Sequence, residues 1–85
     1  MRLYNLDSEL KLMHLLENDA KLKITVKDGN LGCSDVQDVC YEEGYAILYK
    51  KGVNFYIDRV SDGENILCVD DANYIAEIID SFEEV

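Results

Sequence analysis

Eighty-five residues, 48% of them apolar, suffice for one small domain with its own core and exclude a disordered chain. With 18 acids against 8 bases the net charge is −10, which repels nucleic acid and anionic membranes and attracts basic surfaces. No stretch approaches the roughly 20 apolar residues of a membrane span, and the short, charged "LKLMHLL" lacks a signal-peptide cleavage site, so a single cytoplasmic domain over 1–85 is expected.

Residues 8–18 predict a first helix. Asp7 or Ser8 would cap it, and the apolar spacing of three and four selects either Leu6, Leu10, Met13 and Leu16 or Leu12, Leu15 and Leu16. "KLKITVK" then alternates strictly, with Leu22, Ile24 and Val26 on one face and Lys21, Lys23, Thr25 and Lys27 on the other, the pattern of a half-buried strand. "KDGN" turns the chain. Residues 33–43 fit a short helix, with Ser34 and Gln37 as a capping box and Val36, Val39 and Cys40 as its stripe; their Val, Cys and Tyr also suit a strand.

"GYAILYKKGVNFYIDRV" predicts a hairpin about Lys51 and Gly52, in which Leu48 faces Phe55 and Ala46 faces Ile57. Tyr45, Ile47, Tyr49 and Tyr56 fall on the opposite face, where a covering helix is expected. "SDGEN" turns into the strand "ILCV", which completes a meander. Asp70 or Asp71 would cap a closing helix with Ala72, Ile75, Ala76, Ile79 and Phe82 inward. The fold class is therefore α+β: an N-terminal helix, a small antiparallel sheet of three to five strands and a C-terminal helix.

Chemistry-bearing motifs are few. Cys33, Cys40 and Cys68 form no tight chelating pair with one another or with His14, the only histidine, so buried free thiols are expected and no metal or cofactor. Asp58, Asp62 and Gly63 sit at the first, fifth and sixth positions of an EF-hand loop, but Val60 and Val69 replace oxygen ligands that such a loop requires. A Cys40–His14 nucleophile–base pair is the one enzymatic reading, and no catalytic motif supports it.

The acid is segregated. No base follows Arg59, and residues 60–85 carry −8 of the charge; a second base-free window runs from Asp28 to Tyr49. On the predicted closing helix Glu77, Asp80 and Glu84 would share one stripe, while Glu83 and Glu84 would oppose the helix dipole at a cost of roughly 0.3–1 kcal/mol each. That pattern suits either a solvated face kept for solubility or a surface meeting a basic partner, for which the precedent is duplex DNA, itself a row of negative charge. The expected partner-binding set is Asp62, Glu64, Asp70, Asp71, Glu77, Asp80, Glu83 and Glu84.

In size, acidity and helix–strands–helix order the chain resembles the small phage-encoded anti-CRISPR proteins, some of which act as DNA mimics on Cas nucleases. The resemblance covers the whole chain as an outline and rests on no alignable motif, so it carries over no individual residue. It implies a non-enzymatic inhibitor in the host cytoplasm that blocks the surface where a Cas nuclease, or another nucleic-acid-binding protein, reads or holds DNA. The alternative is an interaction module of another class, an antitoxin, immunity protein or self-associating regulator, that binds through Tyr45, Ile47, Tyr49 and Tyr56. Pairing of the lysine face with acids of a second copy leaves a homodimer open.

Overall fold

The computed structural model describes residues 6–29 and 32–85; the side chains of Leu6 and Asp7, and Asn30 of the expected 27–30 turn, lie outside the described residues. The chain is α+β, with helices α1 (Leu6–Glu17), α2 (Ser34–Glu43) and α3 (Ala72–Ile78) and strands β1 (Leu22–Val26), β2 (Ala46–Lys51), β3 (Asn54–Asp58), β4 (Asn65–Val69) and β5 (Ile79–Glu84). The strands form one antiparallel sheet in the order β4-β3-β2-β1-β5.

Period-two alternation assigns the faces. Leu22, Ile24, Val26, Ala46, Leu48, Phe55, Ile57 and Ile79 point to one face and are buried there under Leu12 and Leu16 of α1, Val36 and Val39 of α2, and Ile75 and Ile78 of α3. Leu10, one of the alternative core positions of the first helix, is exposed, while Met13 and Leu15 pack partly against the core. The first helix is described from Leu6, so Asp7 and Ser8 lie within it and not ahead of it as a cap.

The short helix over 33–43 is present, but not for the expected reason. Cys33 is its N-cap, and no side chain caps it. Gln37 turns away from Ser34 and donates from Nε2 to the carbonyls of Lys27 (2.8 Å) and Gly29, pinning the loop that leaves β1. The helix stops at Gly44, whose φ of +91° is a left-handed conformation that costs glycine little and whose N–H bonds the Cys40 carbonyl at 2.9 Å.

The hairpin is present with its register moved by two residues. Lys51 pairs with Asn54 around Gly52 and Val53, and Leu48 pairs with Ile57 where Phe55 was expected. Gly52 takes φ +64°, a hairpin-loop conformation suited to glycine. A slip of two preserves every side chain's face, so the expected inner and outer sets survive.

The C-terminus departs from the expected helix. α3 ends at Ile78, Ile79 is extended (φ −72°, ψ 130°), and residues 79–84 form an edge strand beside β1. Ile75, Ala76 and Ile79 are buried and Phe82 is half-buried as expected, but Ala72 is exposed. Helical spacing read through Phe82 is thus satisfied by a helix followed by a strand with a bulge near Asp80, which restores Phe82 to the inner face opposite Ile24. The non-local partner decides the outcome: β1 needs a second neighbour, and Lys27 N–H to Ile78 O (2.8 Å) and Val85 N–H to Lys21 O (3.0 Å) extend the ladder at both ends. Glu83 and Glu84 meet no helix dipole there. A strand has almost none, and acids on an edge discourage further pairing.

Candidate functional site

All three helices lie on the inner face, so among the described residues nothing covers the outer one. This reverses the expectation of a helix over the tyrosines. Across the middle of that face Glu83, Lys23, Ile47 and Asp58 follow one another on β5, β1, β2 and β3. Beside them Tyr49 pairs with Tyr56, and Tyr56 with Cys68. The two rings stack with centroids 5.4 Å apart and planes 12° from parallel. Lys21 Nζ lies 5.4 Å from the Tyr49 centroid and Lys23 Nζ 5.0 Å from that of Tyr45, both within cation–π range. Thr25 and Ser81 share a hydroxyl hydrogen bond of 2.6 Å between β1 and β5.

Tyr45, Ile47, Tyr49 and Tyr56 are half-buried, with the lysine side chains laid over the Tyr45 and Tyr49 rings. Burial first, and then a hydrogen bond to the Asp58 carboxylate, pushes the Tyr49 hydroxyl above its ordinary pKa. The arrangement is a preorganised aromatic platform with a balanced charged border, and tyrosines held this way supply contact area at low entropic cost.

The eight acids expected to form one partner-binding cluster are dispersed. Asp62 and Glu64 flank Arg59 in the turn between β3 and β4; Arg59 Nε and Nη2 donate to the two Asp62 oxygens at 3.0 Å each, and Nη2 also pairs with Glu64. That fork holds the Asp62 carboxyl below the usual carboxylate range. Asp71 caps α3, its Oδ1 accepting the N–H groups of Asn73 (3.0 Å) and Tyr74 (3.2 Å); Asp70 beside it is exposed. Glu77, on α3, borders a shallow hollow with Glu9 and Lys27. Asp80 occupies the bulge, and Glu83 and Glu84 point to opposite faces of β5, Glu83 across from Lys23. The stripe of Glu77, Asp80 and Glu84 does not exist, because the helix that would carry it ends at Ile78.

An exposed acidic stripe does occur on α2. Asp35, Asp38 and Glu42 recur at three and four residues, all exposed, and Tyr41 between them is 92% exposed. No base stands in the last turn, where Glu42 and Glu43 oppose the dipole. The signal lay in the base-free window from Asp28 to Tyr49, hidden by the strand alternative for 33–43.

All three cysteines are free thiols. Cys33 is buried, but Cys68 is exposed on the outer face, against the expectation of buried thiols. Cys40 points its Sγ at the Ile24 carbonyl (3.6 Å), and burial pushes its thiol pKa up, opposite to what a nucleophile requires. His14 is exposed on α1. Among the described residues no three His, Cys, Asp or Glu side chains gather as a metal site, and no helix is long and apolar enough to cross a membrane. Comparison with protein-family models, curated proteins and solved structures finds no match to this chain.

Proposed function

We propose that this chain is a protein-binding module that docks its partner on the outer face of the sheet. The supporting observation is the Tyr45, Ile47, Tyr49 and Tyr56 platform, which no helix covers among the described residues and which the Tyr49–Tyr56 stack and the two lysine–tyrosine contacts hold together. In this reading binding is non-enzymatic, the tyrosines supply contact area, and Lys23, Asp58 and Glu83 at the border select the partner. An antitoxin, an immunity protein or a self-associating regulator would fit this reading.

A second reading, an acidic inhibitor of a basic, nucleic-acid-binding protein such as a Cas nuclease, is favoured by α2. Its stripe of Asp35, Asp38 and Glu42 beside Tyr41 takes the place of the dispersed C-terminal cluster as the surface that would compete with nucleic acid. The two readings separate in one experiment. Tagged protein is used to capture partners, with elution along a salt gradient, for the wild type, a Tyr49→Ala/Tyr56→Ala variant and an Asp35→Lys/Glu42→Lys variant. Loss of capture in the tyrosine variant alone, with little salt dependence, supports the sheet face. Salt-sensitive capture lost only in the charge-reversal variant moves the function to α2. Capture unaffected by either variant overturns both.

A further inference from the structure

We infer that the occupant of the outer sheet face is a second copy of this chain, seated face to face about a two-fold axis that runs along β2; the inference rests on the reading of that face as a docking surface. The charge arrangement points to it. On the outer face Lys23 lies one strand to one side of Ile47 and Asp58 one strand to the other. Lys21 and Tyr56 likewise flank Tyr49.

Rotation by a half-turn about β2 carries each flank onto the other. Lys23 of one copy then meets Asp58 of its mate, and the mate returns the same pair, so one contact pattern is used twice. Lys21 meets the Tyr56 ring as cation to π-face. Ile47 and Tyr49 lie on the axis and meet their own counterparts. Sheet twist swings the axis roughly 15° off β2, so the two sheets cross at about 30° and lie ~10 Å apart, which still leaves these neighbours within side-chain reach.

The global charge selects the same face. Two chains of net charge −10 repel wherever acid predominates. The outer face is the place where Lys21 and Lys23 balance Asp58 and Glu83, so a second copy approaching there meets no net like charge. An edge-to-edge pairing through β5 would instead set Glu83 and Glu84 beside those of the mate. Five strands at ~4.8 Å and about five residues at ~3.4 Å give a projected footprint of roughly 400 Å². Side-chain relief raises the area removed from water, but the contact stays below the roughly 800 Å² per partner of a standard specific interface. The dimer is therefore reversible and concentration-dependent.

Sedimentation velocity of the full chain over a wide concentration range tests this, using the wild type, Lys23→Asp, Asp58→Lys and an equimolar mixture of the two variants. The wild type is expected to dimerise. Each single variant sets like charges opposite one another twice and should weaken association roughly tenfold or more, whereas the mixture, in which both pairs are again opposite in sign, should recover the dimer. Tyr49→Arg, which sets two cations together on the axis, gives an independent break if Asp58→Lys does not fold. A wild type that stays monomeric up to its solubility limit overturns the second copy alone, and leaves the face to the capture experiment above. A dimer that Lys23→Asp, Asp58→Lys and Tyr49→Arg all leave intact overturns the second copy on this face and counts against the face as a docking surface.

Discussion

The inner and outer faces of the sheet are written by the same three central strands, one residue apart, and they do different work. Leu48 is fully buried in the core beneath the helices, while its neighbour Ile47 looks outward between Lys23 and Asp58. From the central strands the inner face is aliphatic apart from Phe55 and Lys50, which reaches Glu17 of α1, and the helices cover it; the outer face alternates half-buried tyrosine with charge, and among the described residues no helix covers it. Strand alternation thus lets eleven residues of β2 and β3 encode a core and an outward tyrosine face together, provided that every helix is recruited to one side. Exchanging one residue for another on the two faces should therefore give unequal results.

The largest difference is expected in stability. Leu48→Ala removes a fully buried side chain from the centre of the core and should cost about 2–5 kcal/mol, a large part of what a small domain possesses. Ile47→Ala, next to it in sequence, should cost no more than about 1 kcal/mol. Urea unfolding of both variants measures the contrast; equal losses would mean that the outer face is also sealed.

Thiol chemistry sharpens the same contrast without mutation. Cys68 on the outer face should react with a disulfide reagent at least about tenfold faster than Cys33, which is buried at the start of α2, because the latter must wait for local opening. Cys40, half-buried and with its pKa raised, should follow Cys68 as well. Mass spectrometry of the partially labelled protein gives the order. Prior occupation of the outer face by any partner should slow Cys68 alone.

How far these faces were legible depends on whether the signal was local. The alternation of Leu22, Ile24 and Val26 against Lys21, Lys23 and Thr25 is contained in one segment, and so is the division of the hairpin into an inner set and a tyrosine set; both hold in the structure. The hairpin register was less secure, because a loop at Lys51 and Gly52 and one at Gly52 and Val53 leave every residue on the same face. Residues 72–82 could not be read locally at all. Ile75, Ile79 and Phe82 fit a helical stripe, and only the unpaired side of β1, more than fifty residues earlier, turns the second half into a strand. The acidic site inherited that error, since Glu77, Asp80 and Glu84 form a stripe only on a helix. Gln37 failed as a capping residue for a related reason: its better partners are the carbonyls of Lys27 and Gly29, brought near by the fold.

The dispersed acids give a smaller effect. Asp71→Ala removes the acceptor for two N–H groups of α3 and should cost about 1 kcal/mol, whereas Asp70→Ala, one residue earlier, should stay within about 0.5 kcal/mol. Thermal unfolding of the pair distinguishes an acid kept for the fold from one that is merely on the surface. A larger loss for Asp70→Ala would reverse the assignment of the cap.

The smallest effect, and the one that separates structure from recognition most directly, concerns Asp62. The Arg59 side-chain hydrogen bond holds the Asp62 carboxyl below the usual range in the folded chain. A depressed folded value means that the pair stabilises the protein above the ordinary aspartate pKa and that this contribution disappears as pH falls through the folded value. Asp62→Asn should accordingly unfold at slightly lower urea than the wild type near neutrality, and the two should converge in acid. The pair is solvent-exposed, so the difference is small and shrinks further with salt. If Asp62 serves Arg59, the substitution leaves partner capture unchanged while the pH dependence shifts. If it serves a basic partner, capture falls at neutral pH with no change in the unfolding profile. The bidentate geometry at 3.0 Å favours the first outcome, because both carboxylate oxygens are already committed to the same guanidinium.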